Sequence, residues 1–368
     1  MAFNTLSAGP GVELSYIDSG APASKHVYTT IVAIHGMCFS NLIFEKMLPV
    51  ASQKGSRFVA LNRRHYPGST EYSSQELSIV VNGGTDEQKD AELQARGAEI
   101  STFIDNLIQE SNIPPISEDR KTGGIILLGW SLGSATALAA IASTHGLSSD
   151  ARTRLGTRIK SVIFYDPAPI ILGFPTPDQN WAPLVDNYIP EGLRLAAFGQ
   201  WATGYFDHGD LAKRDLSALS WVLPSASRIP TFFNIPPKKY AEAARYGGDG
   251  FSDLPYMIHF VNQFKAAYRK VVNNPEILKI LPDLTSVLLV GESSGAFAIA
   301  AMWAVEDDQE QVDGGKALKI ILIPGINHFV RMSSRSPASL FFHVDHVVLQ
   351  WHWDDPESAL DGFMAWGA

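Results

Sequence analysis

The chain has 368 residues, 45% hydrophobic and 18% charged, with a formal net charge of −9 at pH 7. This is the balance of a soluble globular protein with enough length for a large core. It argues against a nucleic-acid surface, which needs clustered Lys and Arg, and no run approaches the ~20 apolar residues of a membrane helix.

From the start, Met1-Ala2-Phe3-Asn4-Thr5 lacks the basic stretch and apolar run of a secretory signal, and Cys38 is the sole cysteine. A reducing, cytoplasmic setting is therefore expected. Residues 12–17 read as an N-terminal strand. Residues 28–34 run apolar into His35-Gly36, and 57–61 run into Asn62-Arg63-Arg64-His65-Tyr66-Pro67-Gly68-Ser69, so both are short buried strands closed by turn residues. Residues 91–109 have helical spacing, with Leu93, Ile100, Phe103, Ile104 and Leu107 on one side. The strand-then-helix phrase recurs at 125–128 with the helix after Ser131, and a further strand is read at 159–165. It returns at 286–290 with a helix over 296–304, and at 318–323 with a helix near 338–351. Near-continuous apolar strands alternating with helices predict an α/β fold, a mostly parallel twisted sheet flanked by helices.

Between Asp166 and Leu284 that rhythm stops. The segment carries Trp181, Trp201, Trp221, many prolines and a helical patch over 256–271. An insertion of this length between two strands predicts a helical lid over their C-terminal ends, dividing the chain into a core (1–167 and 284–368) and a lid (168–283). Its aromatic residues line an apolar pocket or form the lid's own small core.

One pentapeptide carries chemistry. Gly129-Trp130-Ser131-Leu132-Gly133 lies between the apolar run 124–128 and the small-residue helix 134–142. Glycines two before and two after a serine remove the Cβ atoms that would clash in a sharp strand-to-helix bend, and the serine then projects its hydroxyl from a strained backbone. Ser131 is the candidate nucleophile, since a serine needs both such exposure and a positioned base.

The order His35-Gly36, Asn62 to Ser69, Gly129-Trp130-Ser131-Leu132-Gly133 and Asn327-His328-Phe329 resembles the α/β-hydrolase superfamily along essentially the whole chain. The resemblance implies a serine nucleophile after the fifth strand, an oxyanion hole after the third, a histidine after the last and an acid between them. His328 is then the base, following the apolar strand and the turn Pro324-Gly325. His35 matches the oxyanion loop instead, where the Met37 N–H would pair with that of Leu132. For the acid, the position common in relatives holds Ser294. Asp166, at the end of the preceding strand, is preferred because a short side chain there can be fixed against an imidazole, and Glu292 is the alternative.

Two other clusters are read as structural. His343, Asp345, His346 and His352 lie close together in the C-terminal helix, where His343 and His346 at i and i+3 could share a face and bind a metal, but Val347, Val348 and Leu349 between them read as a core-facing helix with a solvated polar side. The string Glu306-Asp307-Asp308-Gln309-Glu310 reads as a solvent-facing helix end without calcium-loop spacing. No metal or cofactor is called for. The functional expectation is a serine hydrolase acting on a carboxylic ester, lactone or thioester of a mostly apolar small molecule. An acyltransferase, a carbon–carbon bond hydrolase or a lyase could use the same triad, and a non-catalytic ligand-binding protein is the third reading. Serine at the elbow argues against the dehalogenase and epoxide hydrolase chemistries that resemble this fold but use aspartate there. Substrate identity and oligomeric state are not encoded in any local pattern.

Overall fold

The computed structural model describes residues 3–23, 25–244, 252–311, 318–328, 352–353 and 355–367. Among the described residues eight strands form one sheet in the order β1-β2-β4-β3-β5-β6-β7-β8. They are β1 (Asn4–Gly9), β2 (Val12–Asp18), β3 (Thr30–Ile34), β4 (Arg57–Leu61), β5 (Ile125–Trp130), β6 (Ile159–Tyr165), β7 (Thr285–Gly291) and β8 (Lys319–Ile323). The hairpin β1–β2 joins antiparallel, and every pairing from β4 through β8 is parallel. β1 is absent from the sequence reading. Only Leu6 and Ala8 of its six residues turn inward, too small an apolar signal to mark a strand.

Strands β3 to β6 are buried along their whole length because both faces are covered. Side-chain alternation divides them between two cores. Ile125 and Leu127 of β5 join one cluster, while Ile126, Leu128 and Trp130 join the other.

Helices α1 (Met47–Lys54), α2 (Ser74–Asn82), α3 (Asp86–Ser111), α4 (Gly133–Ser143) and α5 (Ser149–Gly156) connect the first six strands. Between β6 and β7 come α6 (Glu191–Ala202), α7 (Pro237–Ala243), α8 (Asp253–His259), α9 (Val261–Asn273) and α10 (Pro275–Ile280), linked by short 3-10 turns and irregular chain. Then α11 (Ala296–Glu310) leads toward β8, and α12 (Pro356–Trp366) packs on α1. The helical patch read over 256–271 is two helices that meet at Phe260, and α9 returns along α4 to the sheet. The helix read near 338–351 lies outside the described residues. α12 was not anticipated, although Asp355 caps it and Pro356 opens it, both usual marks of a helix start. No helix among the described residues is long and apolar enough to cross a membrane.

The acidic string at the end of α11 is not uniformly solvent-facing. Asp308 is buried, receiving Arg269 at 2.5 Å and the Tyr268 hydroxyl at 3.2 Å, while Glu306 and Asp307 pair with Arg214. Helical periodicity turns one residue of such a run inward whenever the helix lies on a core.

The helix that follows the elbow is set by α3. Every residue of α4 is buried, and Gly97 of α3 lets the two helices touch backbone to backbone, since a Cβ there would sit 2.2 Å from the Ala139 carbonyl oxygen. Gly97→Ala is expected to destabilise the protein by about 1–3 kcal/mol in urea unfolding, because neither helix can yield without moving the sheet. An unchanged midpoint would show that the crossing is loose.

Candidate active site

Ser131 occupies the turn from β5 to α4 with φ = 53°, a left-handed conformation unusual for a residue with a Cβ. Its surroundings leave no alternative. The Ser131 N–H donates to Tyr165 O at 2.8 Å, holding the turn to β6. A Cβ on Gly129 would meet Gly133 O at 2.6 Å, and one on Gly133 would meet Ile34 O at 2.3 Å. Both glycines are thus imposed by close backbone approach, and such over-determination sustains the strain at Ser131.

One strand along, Asp166 follows β6 and is also left-handed, with φ = 47°. It is fully buried. Its Oδ1 accepts the Gly291 N–H at 2.9 Å, its Oδ2 accepts the Ser294 hydroxyl at 2.6 Å, and the same Oδ2 lies 3.3 Å from His328 Nδ1. Ser294 therefore steadies the carboxylate supplied from β6. Glu292 is exposed and accepts the Gly325 N–H at 2.8 Å, bracing the turn after β8. The structure brings Asp166, not Glu292, to His328.

The His328 ring is buried among aromatic rings, with centroids at 5.0 Å from Trp130, 5.4 Å from Phe297 and 6.4 Å from Tyr165. Behind it His352 packs 5.0 Å from Phe44 and 5.2 Å from Trp130, fully buried rather than on a solvated face. Burial and the nearby His328 push its pKa down to about 3. His343, Asp345 and His346 lie outside the described residues.

The loop after β3 closes over the elbow. A Cβ on Gly36 would come to 3.0 Å from Ser131 Cβ, so this glycine marks the point where the loop rests on the serine. His35 Nε2 accepts the Arg63 backbone N–H at 3.2 Å, which leaves the ring proton on Nδ1, facing Gly36 O at 2.9 Å. Burial and the Arg63 guanidinium hold its pKa well below the ordinary imidazole value. His35 is a neutral brace. Among the described residues the backbone N–H groups of Met37 and Leu132 have no acceptor.

Above these groups lies a cavity of ≈ 240 Å³, with Ser131, Met37, Leu132 and His328 in its wall. The elements between β6 and β7 supply most of the remainder, including Ile170, Leu184, Phe198, Trp201 and Met257. Among the described residues no charged side chain lines it, and Thr176 and Asn180 are the only polar ones besides Ser131 and His328. Of the three tryptophans noted in this segment, Trp201 faces the cavity. Trp181 packs edge-on against it, and Trp221 is buried with its indole N–H on Leu216 O.

A sequence model of the Alpha/beta hydrolase family matches residues 31–259, from β3 through α8. Among solved structures, a bromoperoxidase from Bacillus anthracis is 17% identical with a TM-score of 0.47, covering 89% of this chain and 93% of its own. The esterase EaEST from Exiguobacterium antarcticum is 15% identical at a TM-score of 0.46, covering 89% and 92%. A soluble variant of monoglyceride lipase from Saccharomyces cerevisiae is 15% identical at 0.44, covering 89% and 86%. Among curated proteins none matches.

The neutral state of His35 is measurable. In a nitrogen-15 NMR titration its ring is expected to keep the Nδ1–H tautomer between about pH 5 and 8, the range in which an ordinary histidine changes charge. A midpoint near the usual value would mean that the ring does not brace Gly36.

Proposed function

The chain belongs to the Alpha/beta hydrolase family, and on that premise we propose that it is a serine hydrolase cleaving a carboxylic ester, lactone or thioester of a mostly apolar small molecule through an acyl-enzyme on Ser131. The observation that carries this reading is the Asp166–His328 pair opening into the same cavity as a serine held at a strained elbow.

In this mechanism His328 removes the Ser131 proton as the hydroxyl attacks the acyl carbon, and later returns it to the leaving alcohol or thiol. Asp166 keeps the proton on His328 Nδ1, so that Nε2 is the basic nitrogen, and it stabilises the imidazolium once formed. Gly291 N–H and Ser294 Oγ–H hold that carboxylate in its orientation toward the imidazole. Met37 and Leu132 donate their backbone N–H groups to the oxyanion. Water then takes the place of the leaving group, and the second half repeats the first.

The cavity defines the substrate class. A carboxylate or ammonium placed among its described side chains would lose hydration with no charged partner there to replace it, so the substrate is neutral around the scissile bond. Its ≈ 240 Å³ falls below the roughly 300 Å³ at which clefts for drug-sized ligands begin, which favours short acyl chains. Residues 168–283 act as the cap that excludes bulk water. Such an apolar, roofed site also suits acyl transfer, in which an acceptor alcohol replaces water, and product analysis with and without such an alcohol separates the two. A cytoplasmic location suits a chain whose one thiol, Cys38, is buried and unbridged.

With p-nitrophenyl butyrate, Ser131→Ala is expected to abolish turnover while the fold is retained. Asp166→Asn should lower kcat on the order of 10³- to 10⁴-fold, whereas Glu292→Gln should stay within about twofold of the parent. Undiminished turnover by Ser131→Ala, or the reverse order of the two acid variants, would overturn these assignments.

A further inference from the structure

Met37 is held at both of its peptide bonds by one ion pair. The peptide before it carries the Gly36 carbonyl and the Met37 N–H, which point in opposite directions because the bond is trans. Arg63 Nη2 donates to Gly36 O at 3.1 Å, beside the His35 ring at 2.9 Å. Two donors on the carbonyl fix the plane of that peptide and hence the aim of its N–H. One of them is a cation, and polarising the carbonyl strengthens the N–H as a donor. The peptide after Met37 carries the Cys38 N–H, which donates to Asp253 Oδ2 at 3.3 Å, and Cys38 itself is left-handed with φ = 66°.

Arg63 and Asp253 meet each other in a two-toothed pair. Nη1 reaches Oδ1 and Nη2 reaches Oδ2, both at 2.9 Å, and the Tyr66 hydroxyl donates to Oδ2 at 2.5 Å. Arg63 is 7% exposed and Asp253 4%. A buried ion pair is a poor source of net stability, because desolvation offsets most of its attraction; what it supplies is geometry. Here both partners also bind the backbone on either side of one residue. Asp253 opens α8, whose following residues Leu254, Met257 and Ile258 line the cavity.

We propose that Arg63 and Asp253 are positioning residues for the oxyanion hole, locking the Met37 N–H in its donating orientation and making that orientation depend on the seating of α8 over the cavity. The inference rests on the acyl-enzyme reading given above. It adds that the segment between β6 and β7 does more than enclose substrate, since the seated helix completes the group that stabilises the transition state.

The test measures Asp253→Asn and Arg63→Lys in the full chain, with p-nitrophenyl butyrate as substrate. Two inhibitors are used, an alkyl trifluoromethyl ketone that forms a tetrahedral adduct with Ser131 and toluene as a neutral, non-nucleophilic occupant of the cavity. Each variant is expected to lose about 10²-fold in kcat with KM nearly unchanged, to weaken ketone inhibition in parallel and to leave toluene inhibition as it was. Arg63→Lys keeps the charge but not the fork, so it separates geometry from charge if Asp253→Asn folds poorly. Unchanged kcat and ketone affinity in a folded variant would overturn the proposal. So would an equal loss for ketone and toluene, which would show that the pair only shapes the cavity. A fluorophosphonate that labels Ser131 in the parent keeps the acyl-enzyme reading intact in either event; failure to label it would remove that reading and this one together.

Discussion

Because β3, β5, β6, β7 and β8 pair in parallel and in register, the residues that follow them emerge along one edge of the sheet. Ile34 is level with Gly129, Trp130 with Tyr165, Tyr165 with Leu289, and Gly291 with Ile323. His35 to Cys38, Ser131, Asp166, Ser294 and His328 are therefore neighbours in space although they span most of the chain. Parallel strands end in loops that must turn away sharply, and after β3, β5 and β6 the residues Cys38, Ser131 and Asp166 take left-handed backbones. The strain at these three lies beside the proposed chemistry, balanced by two apolar cores that hold the strands from either face.

The parts of this arrangement legible in the sequence are those whose causes are local. The elbow is written in five residues, because both glycines answer contacts made within the turn or with the adjacent strand. The α/β rhythm is written in apolar runs, and the structure contains it. The choice between two carboxylates was not written locally. Asp166 and Glu292 each follow a strand ending at the same edge, and only tertiary packing shows Glu292 turned outward to Gly325 while Asp166 faces His328.

Asp253 left no signal at all. It lies 190 positions from Arg63 and opens a short helix in a stretch without strand-helix rhythm. The motif containing Arg63 was visible as part of the resemblance, but its job depends on which backbone oxygen the guanidinium reaches. The same limit explains Asp308, which hides in an acidic string, and His352, which is buried by Phe44 and Trp130 from far upstream in the chain. Among the described residues charge is kept out of the cavity, and Asp166 and the Arg63–Asp253 pair are buried. In the proposed mechanism the wall is apolar, so the few dipoles aimed into it would act in a medium of low dielectric, where they are worth most.

The most direct measurement is a crystal structure of the protein inactivated by a butyl fluorophosphonate. The account predicts phosphorus bonded to Ser131 Oγ, the phosphoryl oxygen within hydrogen-bond distance of the Met37 and Leu132 amides, His328 facing the bonded oxygen and the butyl chain in the cavity. Phosphorus on another residue, or a phosphoryl oxygen turned away from both amides, would contradict it.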